Sequence, residues 1–129
     1  MLKLKVEKEF DDNITDYFLS FNKSGILRKY SSSEEMNYSY VLMSYDKTYM
    51  DQDEIHLEEI FIQETKRGTG LGKIFMLRAI EYAKTLNKKT IRLRPYSKWC
   101  NTPIEKLNHF YESFGFQYED SNDEMTLHM

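Results

Sequence analysis

The stretch Arg67-Gly68-Thr69-Gly70-Leu71-Gly72-Lys73 combines the residue types needed to hold a phosphate. Three glycines alternate there. Lacking Cβ atoms, they let backbone approach a ligand closely and reach left-handed conformations. From Gly70 onward apolar residues recur at helical spacing, so the glycines stand at the mouth of a helix. The first N–H groups of a helix have no internal partner and carry the positive end of its dipole. That makes an anion site suited to a pyrophosphate, and Lys66, Arg67 and Lys73 add positive charge. Two common phosphate loops do not fit. A Walker A loop has Gly five residues before its Gly-Lys pair and Ser or Thr after it, where this chain has Arg67 and Ile74. A dinucleotide fingerprint, Gly-x-Gly-x-x-Gly, ends on Lys73 when started at Gly68 and on Phe75 when started at Gly70. What remains is Arg-x-x-Gly-x-Gly, carried by Arg67, Gly70 and Gly72.

The elements that must position this turn are legible from periodicity. Leu2, Leu4 and Val6 alternate with charges, which predicts a strand over 2–9. Asp12 or Asn13 is suited to cap a helix over about 13–22, with Ile14, Tyr17, Phe18 and Phe21 on one face. A short strand follows at 26–31, then a polar turn, then strands at 38–46 and 55–62. Leu71, Ile74, Phe75, Ala79, Tyr82, Ala83 and Leu86 make a helix of 70–86, and 90–95 alternates as a strand. Thr102-Pro103-Ile104-Glu105 reads as a helix start, with Thr102 capping, Pro103 first in the helix and Glu105 closing a capping box. Leu107, Phe110, Tyr111 and Phe114 form its buried stripe and Gly115 stops it. Residues 116–119 and 124–128 read as a final hairpin. The predicted order is β-α-β-β-β-α-β-α-β-β. One βαβ unit, from 55 to 95, makes a parallel strand pair. The rest extends it antiparallel, giving an α/β fold with one mixed sheet and helices on both faces.

At 129 residues, with 40% hydrophobic and 15% aromatic content, the chain suits a single domain over 1–129. Its net charge of −3 argues against a protein whose main task is gripping nucleic acid. One cysteine, Cys100, excludes an intramolecular disulfide or a multi-cysteine metal site, and a reducing, cytoplasmic location is expected. The first residues lack the apolar run of a signal peptide, and no stretch approaches the roughly 18 apolar residues of a membrane span. His109 and His128 lack metal-like spacing, so no metal is expected.

Arg67, Gly70 and Gly72, set between a strand ending at Ile62 and a long amphipathic helix, resemble the glycine motif of the GNAT (N-acetyltransferase) family. A second block agrees: Phe110-Tyr111-Glu112-Ser113-Phe114-Gly115-Phe116 resembles the family's late helix, which carries a Tyr and closes with Gly-Phe. The resemblance is strong from about 55 to 118 and vague before 40. It implies a GNAT-like domain that binds acetyl-coenzyme A and transfers its acetyl group to an amine, on a small molecule or a protein. Arg67, Gly68, Thr69, Gly70, Leu71, Gly72 and Lys73 would cradle the pyrophosphate. The backbone of Ile60, Phe61 and Ile62 would bind pantetheine and polarise the thioester carbonyl. The family often has Asn seven residues before its tyrosine. Ile104 occupies that position here, and Asn101 is the candidate replacement.

Acetyl transfer to an amine needs a neutral amine, a polarised carbonyl and a protonated leaving thiolate. Tyr111 lines up with the tyrosine that family members often use for the last task, although it also belongs to an apolar stripe. Leu57-Glu58-Glu59-Ile60-Phe61-Ile62 resembles the Leu-Glu-Asp-Phe-Phe-Val stretch of polyamine-type members, which points to Glu58 as base. Glu59 is a rival, as is His56, which aligns with the basic glutamate of the histone-type branch. Glu58 and Glu59 also fit as plain solvated strand charges. Competing readings are a non-catalytic acyl-CoA-binding module and acetylation of aminoacyl-tRNA; the acidic balance counts against the latter. The short early region leaves room for a homodimer to complete the acceptor pocket.

Overall fold

The computed structural model describes residues 5–20, 39–62, 67–95, 102–119 and 123–129. Strands β1 (Lys5–Asp11), β2 (Ile14–Ser20), β3 (Tyr40–Asp46) and β4 (Glu54–Phe61) precede helix α1 (Leu71–Thr85). Strand β5 (Thr90–Leu93), helix α2 (Ile104–Glu112), and strands β6 (Gln117–Tyr118) and β7 (Met125–His128) follow. The strands make one seven-stranded sheet in the order β1-β2-β3-β4-β5-β7-β6. Only β4 and β5 pair in parallel, as the crossover through α1 requires; every other pair is antiparallel. The mixed sheet is the expected one. The strand expected at 26–31 lies outside the described residues.

The helix expected at about 13–22 is instead strand β2. Tyr17, Phe18 and Leu19 are all buried, and they point to opposite faces: Tyr17 and Leu19 into the main core, Phe18 into a second cluster. Three consecutive buried side chains suit a strand covered on both sides and not a helix with one apolar face. Asp12 and Asn13, read as caps, form the two-residue turn of the β1–β2 hairpin, with Asp12 left-handed at φ 47°.

Cross-strand register puts Leu19, Val41, Ile55, Leu57, Ile91, Leu93, Met125 and Leu127 on one face of the sheet. Phe75, Met76, Ala79 and Ala83 of α1 and Tyr111 of α2 join that core, so both described helices serve the same face. Helices on both faces are therefore not seen among the described residues. Ile74, placed on the apolar stripe of α1 by spacing, is 45% exposed, and Met76 takes the core position instead.

Helix α2 begins at Ile104 with Pro103 as its cap, and no side-chain oxygen bonds the cap, so the expected capping box does not form. Gly115 ends the turn after α2 at φ +102°, and a Cβ there would lie 3.1 Å from Leu127 Cδ1. A larger residue would need both a strained backbone and a displaced core leucine.

Candidate functional site

The site begins with an irregularity in β4. Leu42 of β3 faces Glu59 while its neighbour Met43 faces Leu57, so Glu58 is the extra residue of a β-bulge. The bulge reverses the alternation. Ile55 and Leu57 lie in the main core, and after the bulge Ile60 and Ile62 pack against that core while Phe61 joins Phe18 and Tyr40 on the other face. Glu58 and Glu59 thus follow His56 on the face away from the two described helices. The carboxylate of Glu59 accepts a hydrogen bond of 2.7 Å from the hydroxyl of Tyr40, which is fully buried.

Strand β5 stays with β4 only from Glu54↔Thr90 to Leu57↔Leu93, while β4 runs on to Phe61. The parallel pairing ends just where the bulge lies. Among the described residues β5 supplies no ladder partner for residues 58–61 on that side.

The glycine turn follows the end of β4 and is tied to it, Arg67 Nε donating to the backbone carbonyl of Ile62 at 3.1 Å. Gly68 and Gly70 are left-handed, at φ +77° and +81°, and a Cβ added to either would meet nothing within 4 Å. Gly70 is the cap of α1 and, as a glycine, makes no side-chain cap bond; no acidic residue occupies the first turn. Arg67, Gly68, Thr69, Gly70 and Lys73 are exposed, and Leu71 and Gly72 are half-buried. Open backbone donors, left-handed glycines and nearby cations fit a pyrophosphate. Gly72 has a different task. A Cβ there would lie 3.6 Å from the Phe110 ring and 3.9 Å from Ile62 Cγ1, so the start of α1, the end of β4 and α2 converge on it.

Tyr111, next to Phe110, is 3% exposed, and edge-on rings of Phe110 and Phe116 stand 5.2 and 6.0 Å from its own. Burial pushes its phenol up to about 12.

The chain matches the family model described as "Acetyltransferase (GNAT) family" over residues 35–116, more than half its length. It belongs to the GNAT acetyltransferase family. Among curated proteins none matches. Solved structures with a similar fold include the anti-CRISPR protein AcrVA5, at 21% identity and TM-score 0.56, over 69% of this chain and 88% of that one. A GNAT acetyltransferase from Elizabethkingia anophelis with acetyl-CoA bound is 15% identical with TM-score 0.59, over 92% of this chain and 78% of that one. The PaiA N-acetyltransferase of Thermoplasma acidophilum, in complex with coenzyme A, is 14% identical with TM-score 0.56. There the match covers 91% of this chain and 62% of the other.

Within this GNAT domain the residues marked by sequence fall into two groups. Arg67 to Lys73 adjoin the end of β4 through the Arg67–Ile62 bond, and Gly72 stands beside Ile62 and Phe110, the neighbour of Tyr111. Glu58 and His56 lie together on the opposite sheet face: His56 Nδ1 is 3.2 Å from Glu58 Oε1. The two atoms are close but out of line for a hydrogen bond, and His56 Nδ1 is sealed from solvent without a partner. The His56 ring holds the Glu58 carboxyl below the usual carboxylate range, against the opposing effect of burial and with a smaller contribution from Arg94. Asn101, Trp99, Cys100 and Lys66 lie outside the described residues.

Sequence reasoning missed Glu124 and Arg92. His56 Nε2 is 3.7 Å from Glu124 Oε2, Arg92 Nη1 donates to Glu124 Oε1 at 3.2 Å, and Arg92 Nε donates to Glu54 Oε2 at 2.5 Å. No spacing rule links these residues, because three strands bring them together. Among the described residues there is no metal-binding cluster, and no helix is long and apolar enough to cross a membrane.

Proposed function

We propose that this protein transfers an acetyl group from acetyl-CoA to a primary amine by direct attack. The observation that carries the reading is the end of β4–β5 pairing at Leu57↔Leu93 while β4 runs on to a glycine-led start of α1, tied to it by the Arg67–Ile62 bond. Backbone N–H groups of Leu71, Gly72 and Lys73 would receive the pyrophosphate, with Arg67 and Lys73 close by. The β4 backbone from Ile60 to Ile62 would line the pantetheine and donate to the thioester carbonyl, where negative charge develops in the transition state.

Glu58 is the base of this reading. Its carboxyl is held low by His56 and is ionised at neutral pH. It can accept a proton from the incoming ammonium through water, leaving the neutral amine to attack. Tyr111 faces the other product. Its phenol, pushed up to about 12, stays protonated across the physiological range. An alkyl thiol titrates near about 8.5, so complete transfer from such a phenol runs uphill. Tyr111 therefore acts first as a hydrogen-bond donor to the thiolate as the carbon–sulfur bond breaks.

The test is release of free thiol from acetyl-CoA across polyamines, amino acids, aminoglycosides and peptides. Sequential kinetics with at least one amine supports the proposal; thermal stabilisation by acetyl-CoA without turnover of any amine refutes it. That second outcome is the expectation of a non-catalytic acyl-CoA-binding module. The burial of Tyr111 in an aromatic cluster is the observation on that side.

A further inference from the structure

A cleft of about 600 Å³ lies at the end of α1 remote from the glycine turn. The 15 residues of α1, about 22 Å of helix, separate the two. Tyr17 of β2, Tyr45 of β3, Asp53 before β4, and Leu86, Asn87 and Lys88 after α1 line it. We infer that this cleft binds a small aromatic zwitterion of the amino-acid class, with the ligand carboxylate on Lys88 and its ammonium on Asp53.

Local backbone brings the two charges into one wall. Asn87 is left-handed at φ 62°, and the N–H groups of Asn87 and Lys88 bond the carbonyls of Lys84 and Ala83 at 3.0 and 3.1 Å. These bonds turn the chain back off the helix end. The Asp53 carbonyl then accepts from the N–H groups of Lys89 and Thr90, at 2.7 and 3.2 Å. The loop before β4 is thereby fixed against the segment after α1. Lys88 Nζ donates to the Gln52 carbonyl at 2.7 Å and stands 3.5 Å from the centroid of the Tyr45 ring. An ammonium has three N–H donors, so one remains for a ligand.

The cleft also holds polar groups that the protein leaves unanswered. Tyr17 is 6% exposed, yet its hydroxyl has no hydrogen-bond partner among the described residues. Burial pushes its phenol up, and the neighbouring Tyr82 and Tyr45 phenols add to this. Burial pulls the Lys88 ammonium down, and Asp53 opposes that pull from close by. The two charges nevertheless form no ion pair, and the Asp53 carboxylate has no other partner among the described residues. Half-buried charges that do not close on each other suit a ligand that carries both opposite charges. A lone amine would leave Lys88 unanswered, and a lone carboxylate would leave Asp53 so. The Tyr17 ring and Leu86 offer the apolar surface for an aromatic side chain, and the Tyr17 hydroxyl offers a further donor to the carboxylate.

Titration calorimetry of the whole protein tests this with phenylalanine, tyrosine and tryptophan, set against phenethylamine and phenylpropionate. At least one amino acid is expected to bind, and the analogue lacking either charge to bind weaker by about tenfold or more. Asp53→Asn should bring the amino acid down to the affinity of the acid analogue, and Lys88→Met to that of the amine. In wild type, backbone amide NMR shifts on adding the amino acid should fall on Asp53 and on Leu86 to Lys88, and spare Gly70 to Lys73. Failure of all three amino acids to bind at millimolar concentration overturns the inference. So does an analogue that binds as well as its parent, or a shift map confined to the glycine turn or the β4 bulge. If a variant does not fold, the wild-type analogue series and shift map decide alone.

Discussion

Arg67 Nε donates a 3.1 Å hydrogen bond to the backbone carbonyl of Ile62. The residue just after β4 is thereby tied to the first residue of the glycine turn. The bond spans five residues of chain and holds the turn against the end of β4. The consequences for substitution follow from what each residue of that turn meets.

Gly70 and Gly72 should separate fold from binding. Gly70→Ala places a Cβ on a left-handed residue, which costs about 1–2 kcal/mol even in open space. Gly72→Ala adds a methyl at ordinary van der Waals distance from Phe110, at a backbone any residue adopts. Its melting temperature should stay at or above wild type, since Ala is favoured over Gly in a helix by about 1 kcal/mol. Calorimetric titration with acetyl-CoA should still show weaker binding in both, because Gly70 and Gly72 belong to the helix start proposed to receive the pyrophosphate.

Tyr111 should separate acid from core. Tyr111→Phe keeps the ring among Phe110 and Phe116 and should leave stability within about 1 kcal/mol. It should lower kcat by about 10² with KM unchanged, the lower range for loss of a positioned acid. Tyr111→Ala empties a 3%-exposed site and should cost about 3–5 kcal/mol in chemical denaturation. Because the phenol sits at about 12, the rate profile should show no alkaline fall from its ionisation below pH 10. A wild-type kcat in Tyr111→Phe would make the residue plain core.

The two adjacent glutamates should behave oppositely. Glu58→Gln removes the proposed base and should lower kcat/KM by roughly 10²–10⁴. Glu59→Gln keeps an oxygen for the buried Tyr40 hydroxyl and should change kcat/KM little. Glu59→Ala removes that charged acceptor and should destabilise by about 1–3 kcal/mol while leaving the chemistry in place. Parallel assays and denaturant melts of the three variants check this, and equal kinetic losses at both positions would remove Glu58 from its role.

Acid should erase the contribution of Glu54. Burial pulls its carboxyl up, but bonds from the Asp51 backbone N–H and from Arg92 outweigh that and hold it below the usual range. A depressed folded value means stability that is present above the unfolded value, about 4.3, and lost as pH falls through the folded one. Arg92 is 38% exposed, so solvent screening limits the effect at pH 7 to about 1 kcal/mol or less. Thermal melts of wild type and Glu54→Gln should differ at pH 7, and the difference should shrink below about pH 4.3 and vanish once pH falls through the depressed folded value.

Helical periodicity alone identified α1 and α2, because each has a single buried side and a 3.6-residue repeat. It failed at Ile14 to Phe18, where two-sided burial in β2 happens to place apolar residues at helical spacing. The Arg67–Gly72 turn was legible because left-handed backbone needs glycine. The bulge left a trace in the break between Ile55, Leu57 and Ile60, Ile62, which occupy one face despite odd spacing. That trace is readable only once the sheet face is known.

By itself, then, the sequence determined the glycine-led helix start, the βαβ unit around it and the family. Those depend on backbone conformation and local repeat, which neighbouring residues dictate. Only the tertiary structure decided that Glu58 is a bulge residue, that Glu59 is held by Tyr40, and that Glu124 and Arg92 meet His56. These are contacts between strands far apart in the chain, and their register is set by burial of the whole sheet rather than by any local pattern.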